Sequence, residues 1–246
     1  MIQTAINQDI FEQEADSYQL EFFEKTLGAR YVDRIEKQIV LDLVKSLNST
    51  TELKILDIGA GGGRWSELML KKFPNAQIQA VDFATHMVEN LNKKLRSKRF
   101  LAKVGDVQAL PFENNSFDLV VAIRCLKYSP NQKLVLSEIS RVLRPGSLAV
   151  LEFPYPNIVY KIIQKLGFFG KLNAYSNRIV LNSKAVIEEN IQEQNLKILA
   201  SEIHFSVPAT VYKNVDNSLN LKIINFINQV LPKRILGRSL FVLLTK

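Results

Sequence analysis

A single cysteine, Cys125, stands among 246 residues. One thiol excludes an internal disulfide and fits a reducing compartment, and its place at the end of an apolar run reads as a buried structural thiol. No stretch approaches the ~18 consecutive apolar residues of a membrane span. The opening residues, Met1-Ile-Gln-Thr-Ala-Ile-Asn-Gln-Asp-Ile-Phe-Glu12, lack the basic and apolar regions of a secretory signal, so the expected location is cytoplasmic. Histidine is scarce as well: His86 and His204 are the two in the chain. Internal repeats and low-complexity linkers are absent.

What is there is a globular composition. Hydrophobic residues make up 47% of the chain, enough for a sizeable core in one large α/β domain or two small ones. The formal charge of +8 is unevenly spread. Between Tyr155 and Arg178 stand Lys161, Lys165, Lys171 and Arg178 with no acid, and after Asp216 come Lys222, Lys233, Arg234, Arg238 and Lys246 with none. Both stretches are otherwise apolar. They read as solvated helix faces, or as surfaces for an anionic substrate, an acidic carrier or a membrane.

Residues 1–50 read as helical. Phe11, Ala15, Tyr18, Phe22 and Phe23 fall at helical spacing, as do Val32, Ile35, Ile39, Leu43 and Leu47, with Gly28 expected to separate two helices. The stretch Lys54-Ile-Leu-Asp-Ile-Gly-Ala-Gly-Gly-Gly-Arg-Trp65 is the most informative in the chain. An apolar strand, Ile55 to Ile58, runs into Gly59, Gly61, Gly62 and Gly63, and a helical pattern follows. Glycines let such a turn adopt positive φ and let a ligand press on bare backbone. Asp57 discriminates between ligands. A helix N-terminus favours a pyrophosphate, but a carboxylate at the strand's end repels one and suits a ligand carrying an ammonium group.

Further strands follow. Ala76 to Phe83 ends in the acid Asp82, roughly 20 residues past the glycines, where an acid meets ribose hydroxyls. Leu101 to Gln108 contains Gly105-Asp106. Phe117 to Arg124 is almost continuously apolar, as a strand covered on both faces should be. Arg141 to Phe153 reads as a helix end, a Pro145-Gly146 turn and a fifth strand, broken by Pro154 and Pro156. Beyond it, Ile158, Ile162 and Leu166 trace one apolar helical stripe and Leu219, Ile223 and Ile227 another. Ser183 to Gln194 opens on a good N-cap and reads as a helix. Leu196 to Phe205 and Ser239 to Thr245 read as strands.

The chain resembles the class I S-adenosylmethionine-dependent methyltransferases, in particular their small-molecule branch. The residues that carry the resemblance are Leu56-Asp57-Ile58-Gly59-Ala60-Gly61-Gly62-Gly63, Asp82, Gly105-Asp106 with Leu110-Pro111-Phe112, Phe117-Asp118-Leu119-Val120, and Leu143-Arg144-Pro145-Gly146. They span about residues 50–153 in the family's order and spacing, with Ser147 where the family often has a second glycine. The resemblance implies an α/β, Rossmann-like fold: a seven-stranded, mostly parallel sheet with helices on both faces, its seventh strand inserted antiparallel between the fifth and sixth. It places everything in one domain, residues 1–246. Helices at 1–50 precede a cofactor-binding core at 51–153, helical cap insertions fall at about 154–182 and 206–238, and the last strand occupies 239–246.

The resemblance also implies S-adenosylmethionine as cofactor and S-adenosylhomocysteine as product. It assigns Asp57 and the backbone at Gly59 and Gly61 to the methionine portion, Asp82 to the ribose, Phe83 and Met87 to the flanks of the adenine, and Asp106 and Val107 to its edge. Ile123 and Arg124 border the sulfonium, and Tyr18 belongs to the N-terminal helices that close over the cofactor. Methyl transfer is an in-line displacement that needs alignment and exclusion of water, with no metal or covalent nucleophile. On the acceptor side the candidates are His204 as a base, and Arg124 and Tyr128. Glu152, at the end of the fifth strand, could orient an amine.

The expected acceptor is an apolar small molecule, a natural-product intermediate or a peptide-derived compound. A quinone or lipid methyltransferase in peripheral contact with a membrane is the alternative. A non-catalytic cofactor-binding subunit is the alternative of another class, opposed by the intact Asp57, Asp82 and Asp106. Nucleic acid fits the charge, but Arg124-Cys-Leu-Lys-Tyr128 stands where an Asn/Asp-Pro-Pro-aromatic motif would serve exocyclic-amine chemistry.

Overall fold

Strand and helix alternate through the first two thirds of the chain, as the periodicity predicts. The structure, a computed structural model, describes residues 9, 11–155, 180, 182–204, 215–220, 222, 226 and 239–246. Its strands are β1 (Lys54–Ile58), β2 (Gln77–Asp82), β3 (Phe100–Val104), β4 (Phe117–Ala122), β5 (Leu143–Pro154), β6 (Lys197–His204) and β7 (Ser239–Thr245). They form one seven-stranded sheet in the order β3-β2-β1-β4-β5-β7-β6. Pairing is parallel from β3 across to β5, and β7 runs antiparallel between β5 and β6. This is the Rossmann-like α/β sheet expected from the sequence.

Helices cover both faces. Those described are α1 (Leu27–Leu43), α2 (Arg64–Lys72), α3 (Thr85–Lys94), α4 (Gln132–Val142) and α5 (Lys184–Glu193), with a π-helical turn at Leu20–Glu24 and a 3-10 turn at Leu126–Tyr128. On one face Ile39 and Val40 of α1, Trp65 and Met69 of α2 and Val88 and Leu91 of α3 pack on Ile55, Ile78 and Val121. On the other, Val135 and Ile139 of α4 and Ile187 and Ile191 of α5 pack on Leu56, Val120 and Leu151. Ser183 caps α5, accepting from the Val186 amide, and Asn131 caps α4 through the Leu134 amide.

Four expectations need correction. Pro145-Gly146 does not form a turn ahead of the fifth strand but lies within β5, at the register shift in its pairing with β4. Gly28 lies inside the first turn of α1, and the helical break falls before it, where Thr26 caps α1 by accepting from Ala29 N. A threonine hydroxyl that satisfies a free amide of the first turn fixes where the following helix starts. The third strand ends at Val104, so Gly105-Asp106 forms the turn beyond it. The fourth ends at Ala122, leaving Ile123 and Arg124 outside the ladder. The cap insertions at about 154–182 and 206–238 fall almost wholly outside the described residues.

The burial pattern sets a stability test. Leu56 of β1 is 0% exposed, whereas Leu101 on the edge strand β3 is 51% exposed. Leu56→Ala is expected to cost about 2–5 kcal/mol of unfolding free energy. Leu101→Ala should stay within about 0.5 kcal/mol. Urea titration of the two variants beside the parent checks both.

Candidate active site

The carboxyl ends of the parallel strands converge on one crevice. Asp57, next to last in β1, is wholly buried. Ser66, in the first turn of α2, donates its hydroxyl to Asp57 Oδ2 at 2.6 Å. Asp57 Oδ1 is buried and has no hydrogen-bond partner among the described residues. Burial is the larger influence on this group. It raises the carboxyl from 3.8 to about 7 against the opposing bonds from Ser66. The turn after β1 passes under the exit of β4: Gly59 has φ +68°, and a β-carbon there would collide with Cβ of Cys125. Gly61, with φ +49°, donates its amide to Asp82 Oδ2 at 2.8 Å and keeps its bare face toward the ring of Tyr18.

Asp82 closes β2 and is also buried. Its Oδ1 accepts from Ala84 N at 3.1 Å, and burial raises its carboxyl despite these bonds. The crevice has about 780 Å³ of empty volume, counting its open mouth. Tyr18, Gly59, Gly61, Asp82, Phe83 and Met87 line it, as do Asp106, Val107, Ile123, Arg124 and Tyr128. One wall of one pocket thus unites residues far apart in sequence. Asp106 is exposed at its rim and accepts from Gln108 N at 2.8 Å.

The N-terminal segment lies across this crevice, through contacts that helical spacing does not reveal. The Phe11 ring meets Phe83, Tyr128 and Tyr18 edge-on, with centroids 5.7, 5.2 and 5.8 Å away. Ala84, at the start of α3, has no capping side chain. Glu12 takes over that task, accepting from Thr85 N at 2.6 Å and His86 N at 2.8 Å. Asp16 accepts from the Asn90 amide at 2.8 Å one turn further on.

Arg124 follows β4 in the left-handed region, φ +64°, a conformation rare outside glycine. Its backbone N–H donates to Glu152 Oε2 at 3.0 Å, and its guanidinium donates to Glu36 Oε1 of α1 at 2.6 Å through Nη2. Glu36 is fully buried and also accepts from Arg64 at 2.6 Å. Burial pushes the Glu36 carboxyl up, but Arg124 first and Arg64 second overcome it and hold the group down at about 2. Arg64 also donates to Asp33, and the Phe23 ring lies under both guanidinium groups. The sequence signal for Glu36 is a charge set between Val32 and Ile39 on an apolar helical stripe.

The acceptor-side candidates separate. Tyr128 lines the crevice, and burial raises its phenol, which therefore stays protonated near neutrality. Cys125 is raised in the same way and is no thiolate. His204 ends β6 opposite Ser239, buried, and is not among the residues lining the crevice. His86 turns outward beside Glu12.

A family profile described as a methyltransferase domain matches residues 56–151, from β1 through β5. These residues form a methyltransferase domain of the class I S-adenosylmethionine-dependent kind. It is 28% identical over 199 residues to malonyl-[acyl-carrier protein] O-methyltransferase of Paenibacillus, covering 78% of this chain and 69% of that one. It is 35% identical over 144 residues to demethylmenaquinone methyltransferase of Staphylococcus aureus, covering 54% of this chain and 60% of that one. A solved S-adenosylmethionine-dependent methyltransferase of Methanosarcina mazei superposes with TM-score 0.62 at 16% identity, over 83% of this chain and 96% of that one. The last likeness speaks to fold alone.

The methyltransferase's residues fit its cofactor, S-adenosylmethionine. Asp57 is not among the residues lining the crevice, but its Oδ1, buried just before Gly59 and without a partner among the described residues, would suit the ammonium of the methionyl end. Gly59 and Gly61 line the crevice with backbone alone, where the methionyl portion would lie, and Asp82 would take the ribose hydroxyls, with Phe83 and Met87 beside the adenine. Asp57 makes this fit sensitive to pH. Its folded-state value is raised above the ordinary 3.8, so in the cofactor-free enzyme it contributes stability below 3.8 that is lost as pH rises through about 7. An ammonium ligand favours the charged form and competes with that proton. Calorimetry should therefore find S-adenosylhomocysteine bound ~10-fold more weakly at about pH 6 than at about pH 8. Asp57→Asn should bind weakly at both and lose the dependence.

Proposed function

We propose that the enzyme transfers a methyl group to an apolar small molecule, a natural-product intermediate or a peptide-derived compound. The aromatic wall of the crevice carries this reading. The Phe11 ring meets those of Phe83 and Tyr128 edge-on beyond the ends of β2 and β4, and Ile123 and Pro130 extend the apolar lining. Such a wall favours an apolar acceptor through burial and leaves few groups to satisfy a strongly polar one. When bound, S-adenosylmethionine supplies an electrophilic methyl group on its sulfonium. The chain's own contribution is to hold the acceptor in line and exclude water. Tyr128, with its proton held on, would orient an acceptor by hydrogen bonding and would not remove a proton. With Cys125 equally protonated, the acceptors best served carry their own nucleophile.

A second reading, a quinone or lipid methyltransferase at a membrane surface, draws support from the quinone-named relative and from Leu219 and Phe226. These two are 66% and 64% exposed, with the exposed Lys222 between them in sequence. Apolar side chains beside a lysine suit an anionic bilayer.

Transfer of labelled methyl to panels of hydrophobic phenols and quinols, acylated peptides and malonyl thioesters, with and without anionic vesicles, tests the assignment. Turnover of an apolar soluble acceptor without vesicles is the expected result, with Tyr128→Phe retaining kcat within about tenfold. Turnover only with vesicles, together with sedimentation on them that salt weakens, transfers the assignment to the membrane enzyme. Tight S-adenosylhomocysteine binding with no turnover of any acceptor leaves a cofactor-binding subunit.

A further inference from the structure

The cofactor's methionyl end is a zwitterion, and Asp57 answers only half of it. We propose that Arg124 receives the cofactor's carboxylate, with Glu36 as the positioning residue that holds the guanidinium in place. This rests on the cofactor reading above.

The ammonium and carboxylate sit on one carbon, with the amino nitrogen and carboxyl carbon about 2.5 Å apart. An ammonium on Asp57 therefore puts a negative charge beside the glycine turn, within the reach of two buried carboxylates, Asp57 and Asp82. Such a charge needs donors. The turn itself offers few. The amides of Gly59 and Ala60 already donate to the Val81 carbonyl, that of Gly61 to Asp82, and that of Gly63 to the Ala60 carbonyl. The anion must therefore be met mainly by side chains.

A smaller recess opens beside the main crevice, between the turn and the N-terminal helices. Gly61, Gly62, Tyr18, Arg64 and Arg124 are among its walls. Two cations bound it, and they differ. Arg64 is 4% exposed, and its three guanidinium nitrogens bind Asp33, Glu36 and the Asp33 carbonyl. Arg124 is 15% exposed and belongs to the walls of both the recess and the main crevice, so a ligand spanning the two passes it.

The backbone makes the same distinction. A left-handed non-glycine residue costs on the order of 1–3 kcal/mol and persists where its surroundings impose it. Arg124 is imposed upon from two sides: Glu152 holds its amide and Glu36 its guanidinium. An acceptor bearing a carboxylate would present the same chemistry to Arg124, so the test uses cofactor ligands alone.

The probes are S-adenosylhomocysteine and its decarboxylated analogue, which keeps the amine and lacks the carboxylate, titrated by calorimetry with no acceptor present. The parent enzyme is expected to prefer S-adenosylhomocysteine by roughly 10- to 100-fold, the equivalent of one charge-assisted pair. Arg124→Met should bring S-adenosylhomocysteine down to the analogue's affinity and leave the analogue's own binding within about threefold. Arg124→Lys should restore part of the preference. Because Arg124→Met strands the buried Glu36, the double variant Glu36→Gln/Arg124→Met is measured beside it and should show the same levelling. An undiminished preference in Arg124→Met or the double variant overturns the proposal, as does an equal weakening of both ligands, which marks a structural role. Failure of the parent enzyme to bind either ligand is a different outcome, and it removes the cofactor reading itself.

Discussion

The direction in which the chain leaves its first strand governs everything else. Parallel neighbours must be joined by crossovers of one hand. From β1 the chain travels outward through β2 to β3, which lays α2 and α3 on one face of the sheet. It then returns to the middle as β4 and proceeds the other way, which lays α4 on the opposite face. Between β1 and β4 the two sets of connections part, and a crevice opens at their carboxyl ends. Gly59 and Gly61 after β1, Asp82 at the end of β2, Asp106 beyond β3 and Ile123 and Arg124 beyond β4 all project into the space this reversal creates.

Four carboxylates are buried around that crevice, and the fold treats each differently. Glu36 is neutralised by two guanidinium groups, so it stays ionised at a cost already met. Asp82 is held by backbone amides from the glycine turn and from the start of α3, which also pins the turn against β2. Glu152 supports the amide of Arg124. Asp57 alone keeps a buried oxygen with no partner among the described residues, and burial leaves it poised near neutrality. An unsatisfied buried carboxylate is expensive in a finished structure and reasonable in one that awaits a cation.

The N-terminal segment is part of the site as much as its cover. Glu12 supplies the cap that the start of α3 lacks, and Phe11 fills the angle between Phe83 and Tyr128. Glu36 reaches from α1 to the end of β4. Cofactor residues on the strand ends are thus braced by side chains from the first 40 residues. An aromatic wall suited to apolar acceptors comes from the same source.

The sequence by itself determined the order of the strands, the glycine turn and the Ser183 helix cap. These follow from local period and chemistry: continuous apolar runs at Ile55 to Ile58 and Phe117 to Ala122, a serine before Lys184, glycines where the backbone must turn with positive φ. The order of motifs also named the cofactor and brought Asp82, Phe83, Met87, Asp106 and Ile123 to one pocket, because each follows a strand whose place in the sheet is fixed by topology. Tertiary structure alone decided what spans distant segments. Nothing in the spacing around Glu12 says that it will cap a helix at residue 85, or that Glu36 will find Arg124. His204 reads in sequence as a plausible base, yet its strand ends away from the crevice lining. Gly28 looks like a helix break, yet Thr26 two residues earlier makes it. Period and composition report which face a residue takes, whereas its partners depend on which elements the crossovers bring together.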